Sequence, residues 1–201
     1  MKDFLHYLAV QPGRLWRYLG LFQSPGLRLV HAMVVGFIVM QLLSSVPMDI
    51  GERHASFWGW YHMWGGAGMC LLAIIQVIYS FRTRGLRHFY PYLWGDLEAL
   101  KKDIQQSLRF KLVPPRSKGL GAVVQGLGLG AIVLTAFSGL YWFWLWQAGL
   151  PQEQGAREFH DAVSWLIILY FIGHGGMATL HLITWEGKVK QDDSKDIGLA
   201  T

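Results

Sequence analysis

Cysteine is almost absent from this chain of 201 residues, since Cys70 is its single representative. One thiol cannot form an intrachain disulfide, ligate an iron–sulfur cluster or supply a Cys-x-x-Cys-His motif for covalent haem attachment. Carboxylates are also scarce, with 13 Asp and Glu in all, and they are nearly missing from the longest apolar runs. Any metal or cofactor is therefore held by other side chains.

Apolar residues make up 52% of the chain and are gathered into four long runs. Each run has about 20 residues or more with almost no charge, which is the length that a helix needs to cross roughly 30 Å of hydrocarbon. The sequence therefore predicts an all-α integral membrane protein built as a four-helix bundle. The predicted spans are residues 27–46, 57–81, 120–146 and 159–183.

The formal charge of +5 does not indicate a nucleic-acid partner, because the basic residues follow the predicted topology. All of the 18 Lys and Arg except Arg53 and Arg157 fall in residues 1–28, residues 82–118 and the tail after Trp185. The positive-inside rule then predicts that both termini and the long middle segment are cytoplasmic. The first span is expected to act as its own insertion signal, without a cleaved signal peptide.

The chain is expected to fold as one membrane domain with short flanking segments. Residues 1–26 mix aromatics and arginines and suit a cytoplasmic segment at the membrane surface, residues 27–185 form the bundle, and residues 186–201 form a cytoplasmic tail. Between the second and third spans, the stretch from Gly95 onward predicts a cytoplasmic amphipathic helix with Asp96 and Glu98 in its first turn.

Histidines inside the predicted spans are the main functional signal, because ionisable residues in hydrocarbon are functional candidates by default. His160 and His174 are 14 residues apart, which corresponds to a rotation within about 40° of whole turns and a rise of about 21 Å, so they share a helix face. His31 lies near the cytoplasmic start of its span and His62 near the outer start of its own. These depths pair His31 with His174 and His62 with His160.

Two facing imidazoles at one depth suit a six-coordinate haem iron, because the porphyrin fills the other four positions. Zinc would usually require a third or fourth protein ligand at the same depth, and a proton relay would favour carboxylates. We interpret both levels as bis-histidine haem b sites. For any one histidine taken alone, a hydrogen-bonded residue between packed helices remains the alternative.

Four short motifs resemble those of the bacterial cytochrome b561 superfamily. They are "RLVH" in the first span, "WGWYHMWGG" in the second, "LTAFSGLYW" in the third and the 14-residue histidine spacing in the fourth. That superfamily includes the b-type cytochrome subunits of membrane-bound nickel–iron hydrogenases, formate dehydrogenase gamma subunits and thiosulfate reductase cytochromes. The stretch "YPYLWGDLEAL" is similar to the latter two branches. The resemblance covers residues 27–183.

This resemblance implies two haem b groups in a multi-pass protein of the bacterial inner membrane. His31 and His174 would ligate the iron on the cytoplasmic side, and His62 and His160 the iron on the periplasmic side. The chain would pass electrons between a periplasmic redox protein, such as a hydrogenase, a molybdenum enzyme or a cytochrome c, and a quinone, menaquinone or ubiquinone.

The residues that would bind the quinone are expected at the cytoplasmic ends of the spans. In the formate dehydrogenase branch, asparagine and glutamine at the start of the third helix help to bind quinone, and the polar candidates at that place here are Lys118 and Gln125. His181 lies seven residues beyond His174 on nearly the same face, where an imidazole can exchange protons near neutral pH. Anchoring of the helix end at the interface is the alternative role for His181.

Two other functions are compatible with the sequence. A stand-alone superoxide:quinone oxidoreductase would need positive charge near the outer haem, for which the outer connections offer Arg53 and Arg157. In a membrane anchor, the haems would only stabilise the bundle while it holds a catalytic partner.

Overall fold

The computed structural model describes residues 13, 15–51 and 54–198, with side chains described up to residue 184. Half of the predicted interfacial segment, residues 1–12 and 14, lies outside the described residues, as do Glu52, Arg53 and residues 199–201. The described part of the chain contains helices and one isolated β-bridge, between Ile50 and Ala55. The all-α prediction is therefore confirmed for this part.

Four of the described helices are long and apolar enough to cross a membrane. The fourth begins at Glu153 rather than near residue 159, because the polar stretch before Phe159 continues the same helix. The candidate span in the described part of this helix is Glu153–Thr184. The prediction of four spans is confirmed. In chain order the helices are α1 (Pro25–Ser45), α2 (Phe57–Arg84), α3 (Leu86–Phe89), a 3-10 helix (Pro91–Trp94), α4 (Glu98–Leu108), α5 (Leu120–Ala148) and α6 (Glu153–Gly198).

Short connections join α1 to α2, over residues 46–56, and α5 to α6, over residues 149–152. The Ser56 hydroxyl caps α2 by accepting from the backbone N–H of Gly59 at 3.1 Å. Gly149 ends α5 with a positive φ of 62°, and the N–H of Leu150 bonds the carbonyl of Leu145 in the six-to-one pattern of a Schellman motif. Both connections lie at the same end of the bundle, which we call the short-loop end. The opposite end, which holds α3 and α4, is the long-loop end.

The four spans pack in the order α1, α2, α5, α6. Among the described residues, α1 and α6 have no comparable backbone contact, so side chains bridge the space between them. A central cluster includes Val34, Ala73, Ile132 and Ile167, one from each span. Elsewhere the spans expose large apolar side chains, as expected for surfaces in contact with lipid.

The long middle segment is fastened to the start of α5. Asp103 of α4 is 1% exposed, forms an ion pair with Arg116 and accepts a hydrogen bond from the backbone N–H of Leu120 at 2.9 Å. A carboxylate at this position satisfies one of the free N–H groups of the helix N-terminus and complements its dipole. The helix predicted from Gly95 onward begins at Glu98, and Asp96 lies before it.

Candidate functional site

Four span histidines meet as two pairs inside the bundle. His62 of α2 faces His160 of α6, with ring centroids 6.4 Å apart and ring planes at 67°. His31 of α1 faces His174 of α6, with centroids 6.2 Å apart and planes at 80°. The first pair lies toward the short-loop end and the second toward the long-loop end, so we call them the short-loop pair and the long-loop pair. Helix α6 contributes one histidine to each.

Both separations match two imidazoles on opposite sides of one metal ion. A metal–imidazole nitrogen bond is about 2 Å long and the ring centre lies about 1 Å behind the nitrogen, so the two centroids would be about 6 Å apart. The angle between the ring planes can take any value, because each ring rotates about its metal–nitrogen bond.

The orientation of His62 is fixed by a serine on the neighbouring helix. The Ser44 hydroxyl is 3.1 Å from His62 Nδ1 and donates its single proton to the carbonyl oxygen of Gln41 at 3.0 Å. With the hydroxyl proton on that carbonyl, the tautomer of His62 protonated at Nδ1 satisfies both the ring and the serine. The lone pair on Nε2 is left free to bind a metal.

His160 has the same arrangement on the other side of the short-loop pair. Its Nδ1 lies 3.0 Å from the Ser138 hydroxyl, which donates to the carbonyl oxygen of Thr135 at 2.9 Å. Metal-ligating histidines usually donate their second N–H in this way, which fixes the tautomer and makes the ligand more basic. The short-loop pair therefore has two Nε2 atoms prepared as ligands.

A cavity surrounds the short-loop pair, with walls from all four spans. The lining is mostly apolar, and Gly139 contributes to it; a Cβ there would lie 2.8 Å from His160 Cε1. The facing imidazoles and the apolar lining suit a flat apolar cofactor with a metal ion at its centre.

In the long-loop pair, His174 is positioned by stacking instead of by a serine hydroxyl. Within the described part of the chain, the ring nitrogens of His31 and His174 have no hydrogen-bonding side chain like Ser44 or Ser138. Tyr170, one turn before His174, stacks on its ring with centroids 5.0 Å apart and planes at 11°. Tyr170 itself lies against the backbone of Gly128, where any side chain would collide with it. This packing positions His174.

The three candidate quinone residues each have a partner of their own. Gln125 accepts from Arg84 at 3.1 Å, and Lys118 donates to Asp96 at 2.7 Å. Lys118 has a positive φ of 62° and precedes α5, so it does not share a helical face with Gln125. The two ring nitrogens of His181 lie 2.8 Å and 2.9 Å from backbone carbonyl oxygens, those of Met177 and Val113. The structure shows no direct contact among the three.

Some polar residues of the bundle were missed by the sequence reasoning. Ser44 and Trp142 both lie next to the short-loop pair or its cavity. Gln76 is 8% exposed, and its side-chain oxygen has no partner among the described residues. Gln76 lies 14 residues after His62, which is also the spacing between His160 and His174. Gln76 and His62 therefore share a helix face, and a search of this span at that spacing would have identified Gln76.

A family model described as prokaryotic cytochrome b561 matches residues 23–190. This range contains all four spans and both histidine pairs. No curated protein and no solved structure matches the chain.

Proposed function

Because the chain belongs to the prokaryotic cytochrome b561 family, a family of membrane haem b electron carriers, we propose that it is a di-haem b electron-transfer subunit. It would connect a periplasmic redox protein to the membrane quinone pool. The periplasmic protein would be a hydrogenase, a molybdenum enzyme or a cytochrome c. Membrane lipid surrounds the four apolar helices.

The observation that carries this proposal is the spacing of the two histidine pairs, at 6.2 Å and 6.4 Å between ring centroids. His31 and His174 would hold one haem iron, and His62 and His160 the other. Haem b supplies reversible one-electron chemistry at its iron, and the protein tunes it through ligands, hydrogen bonds and burial.

The two sites differ in the hydrogen bonds that the histidine ligands make to neighbouring side chains. Ser44 and Ser138 draw the Nδ1 protons of the short-loop pair, which makes these imidazoles more basic and favours the ferric state. The long-loop pair has no such serine in the described part of the chain. These contacts favour a lower reduction potential at the short-loop site than the same ligands would give without them.

For the orientation, we propose that the long-loop end is cytoplasmic and the short-loop end periplasmic. The middle segment and the tail carry most of the basic residues, and the described short loops and adjoining first turns carry mainly Asp49, Glu153 and Glu158. The redox protein would then dock at the short-loop end, beside the haem of His62 and His160.

We propose quinone exchange at the long-loop end, because the polar candidates Lys118, Gln125 and His181 all belong to it. The His181→Ala variant should keep both haems, yet a quinol analogue should reduce its long-loop haem more slowly. His88→Ala, which removes an imidazole bonded to Ser117 at the same end, is the matched control. Unchanged reduction in His181→Ala, or an inhibitor that shifts only the other haem, would place the quinone elsewhere.

The haem assignment is tested by cofactor analysis of the purified chain. Pyridine haemochrome analysis should give two non-covalent protohaems per polypeptide, both low-spin. His31→Ala and His174→Ala should lose one spectral component, and His62→Ala and His160→Ala the other. A single haem per chain, or loss of the same component from His31→Ala and His62→Ala, would disprove the assignment.

A further inference from the structure

Trp142 of α5 has a buried hydrogen-bond donor without a partner. The side chain is 4% exposed and lines the cavity of the short-loop pair, and its indole N–H meets no acceptor among the described residues. A buried donor left unpaired costs about 1–3 kcal/mol, so such a group in a native fold calls for an acceptor. The cavity beside it is the place where that acceptor can lie.

Arg157 is a half-buried cation at the same place. Its guanidinium carbon lies 6.0 Å from the centre of the Trp142 ring, and its one described hydrogen bond is a long one of 3.4 Å to the carbonyl oxygen of Ile50. Among the described residues, no carboxylate lies within ion-pair distance of it. A cation with this little compensation favours an anion nearby.

These two donors lie at one depth relative to the histidines. Trp142 follows Ser138 by four residues on α5, and Arg157 precedes His160 by three residues on α6. Ser138 and His160 are hydrogen-bonded to each other, so both donors lie about one turn, or roughly 5 Å, nearer the short-loop end than His160. An anion at this point would be one turn from the metal position and at the edge of the cavity.

We propose that Trp142 and Arg157 bind a propionate carboxylate of the short-loop haem, with the propionate edge directed toward the short-loop end. The inference rests on the proposed function, because it needs a haem between His62 and His160. Haem b carries two propionates on one edge, and their oxygens accept both an indole N–H and the forked donors of a guanidinium. The contact would set the rotation of the haem within its plane and neutralise part of its negative charge.

The test is Trp142→Phe, with Trp146→Phe as the matched control. Trp146 is also buried near the short-loop end, but its indole N–H is satisfied by the carbonyl oxygen of Gly51 at 2.9 Å. Trp142→Phe should shift the resonance Raman propionate-bending band of the short-loop haem. It should also lower the ratio of reduced to oxidised short-loop haem at fixed ambient potential by roughly three- to tenfold, because the carboxylate charge is less compensated. Trp146→Phe should change neither signal.

Arg157→Gln should change the same two signals in the same direction. Arg157→Lys should restore part of the ratio of reduced to oxidised haem, because lysine keeps the positive charge but lacks the forked donors of the guanidinium. If Trp142→Phe behaves like Trp146→Phe, or if the potential changes while the propionate band does not, the inference is wrong. Its failure is separable from that of the proposed function: a chain that binds no haem, or keeps the short-loop haem in His62→Ala, overturns the function itself.

Discussion

Replacing Ser44 by alanine removes the hydroxyl that accepts from His62 Nδ1, at 3.1 Å, and leaves the iron-binding nitrogen unchanged. Loss of such an outer partner typically weakens metal binding by about 10- to 100-fold, or about 1.4–2.7 kcal/mol. The imidazole also becomes less basic, so the ferric state loses more than the ferrous state. If that difference is about tenfold, the potential of the short-loop haem rises by about 60 mV.

The assay is a spectroscopic redox titration of the purified protein, together with its haem content. Ser45→Ala is the control, because Ser45 is the next residue and its hydroxyl donates to the carbonyl oxygen of Leu42 at 2.8 Å without contacting a histidine. Ser44→Ala should raise the potential of one haem and leave the other unchanged, whereas Ser45→Ala should resemble the parent protein. Equal behaviour of the two variants, or a shift in the haem of His31 and His174, would refute the reasoning.

Two further changes probe the site and the long-loop end. In Gly139→Ala the new methyl group would lie 2.8 Å from the ring of His160, so we expect selective loss of the short-loop haem. Gly130→Ala is the control, because a methyl group there meets open space, and this variant should keep both haems. Equal haem contents in the two variants would contradict this expectation. Lys118, and to a lesser extent Arg87, lowers the pKa of Asp96 below 3.8. The Asp96 carboxylate therefore stabilises the fold fully above pH 3.8, and this stabilisation is lost as the pH falls through the lower pKa that Asp96 has in the folded state. Thermal unfolding should show Asp96→Asn less stable than the parent at neutral pH and equal to it in strong acid; a constant difference would contradict this.

The four spans and the pairing of the histidines can be predicted from properties that are read directly from the sequence. The bilayer thickness fixes the length of an apolar run, and the helix fixes rise and rotation per residue. Counting from the ends of each run was therefore enough to place His31 with His174 and His62 with His160 at common depths, and the structure has both pairs in contact.

Contacts between helices could not be predicted in the same way. Ser44 reaches His62 because α1 and α2 have a particular relative rotation, which helical periodicity within either segment does not specify. Helical periodicity does not relate Lys118 to Gln125, because the helix begins at Leu120 and Lys118 has a positive φ. The bond between His181 and the carbonyl of Val113 depends on the path of a long connection.

The continuity of α6 has a mechanical consequence for electron passage. His160 and His174 lie on one helix without an interruption, so their axial separation is held at about 21 Å by the rigid backbone between them. Helix α1 closes one site and α2 closes the other. If each pair holds a haem as we propose, a docking protein that displaces α1 or α2 would alter the ligation of one haem while the two histidines of α6 keep their spacing. Helix α6 would thus keep the distance between its two histidines constant, while α1 and α2 could change the redox energies of the two sites independently.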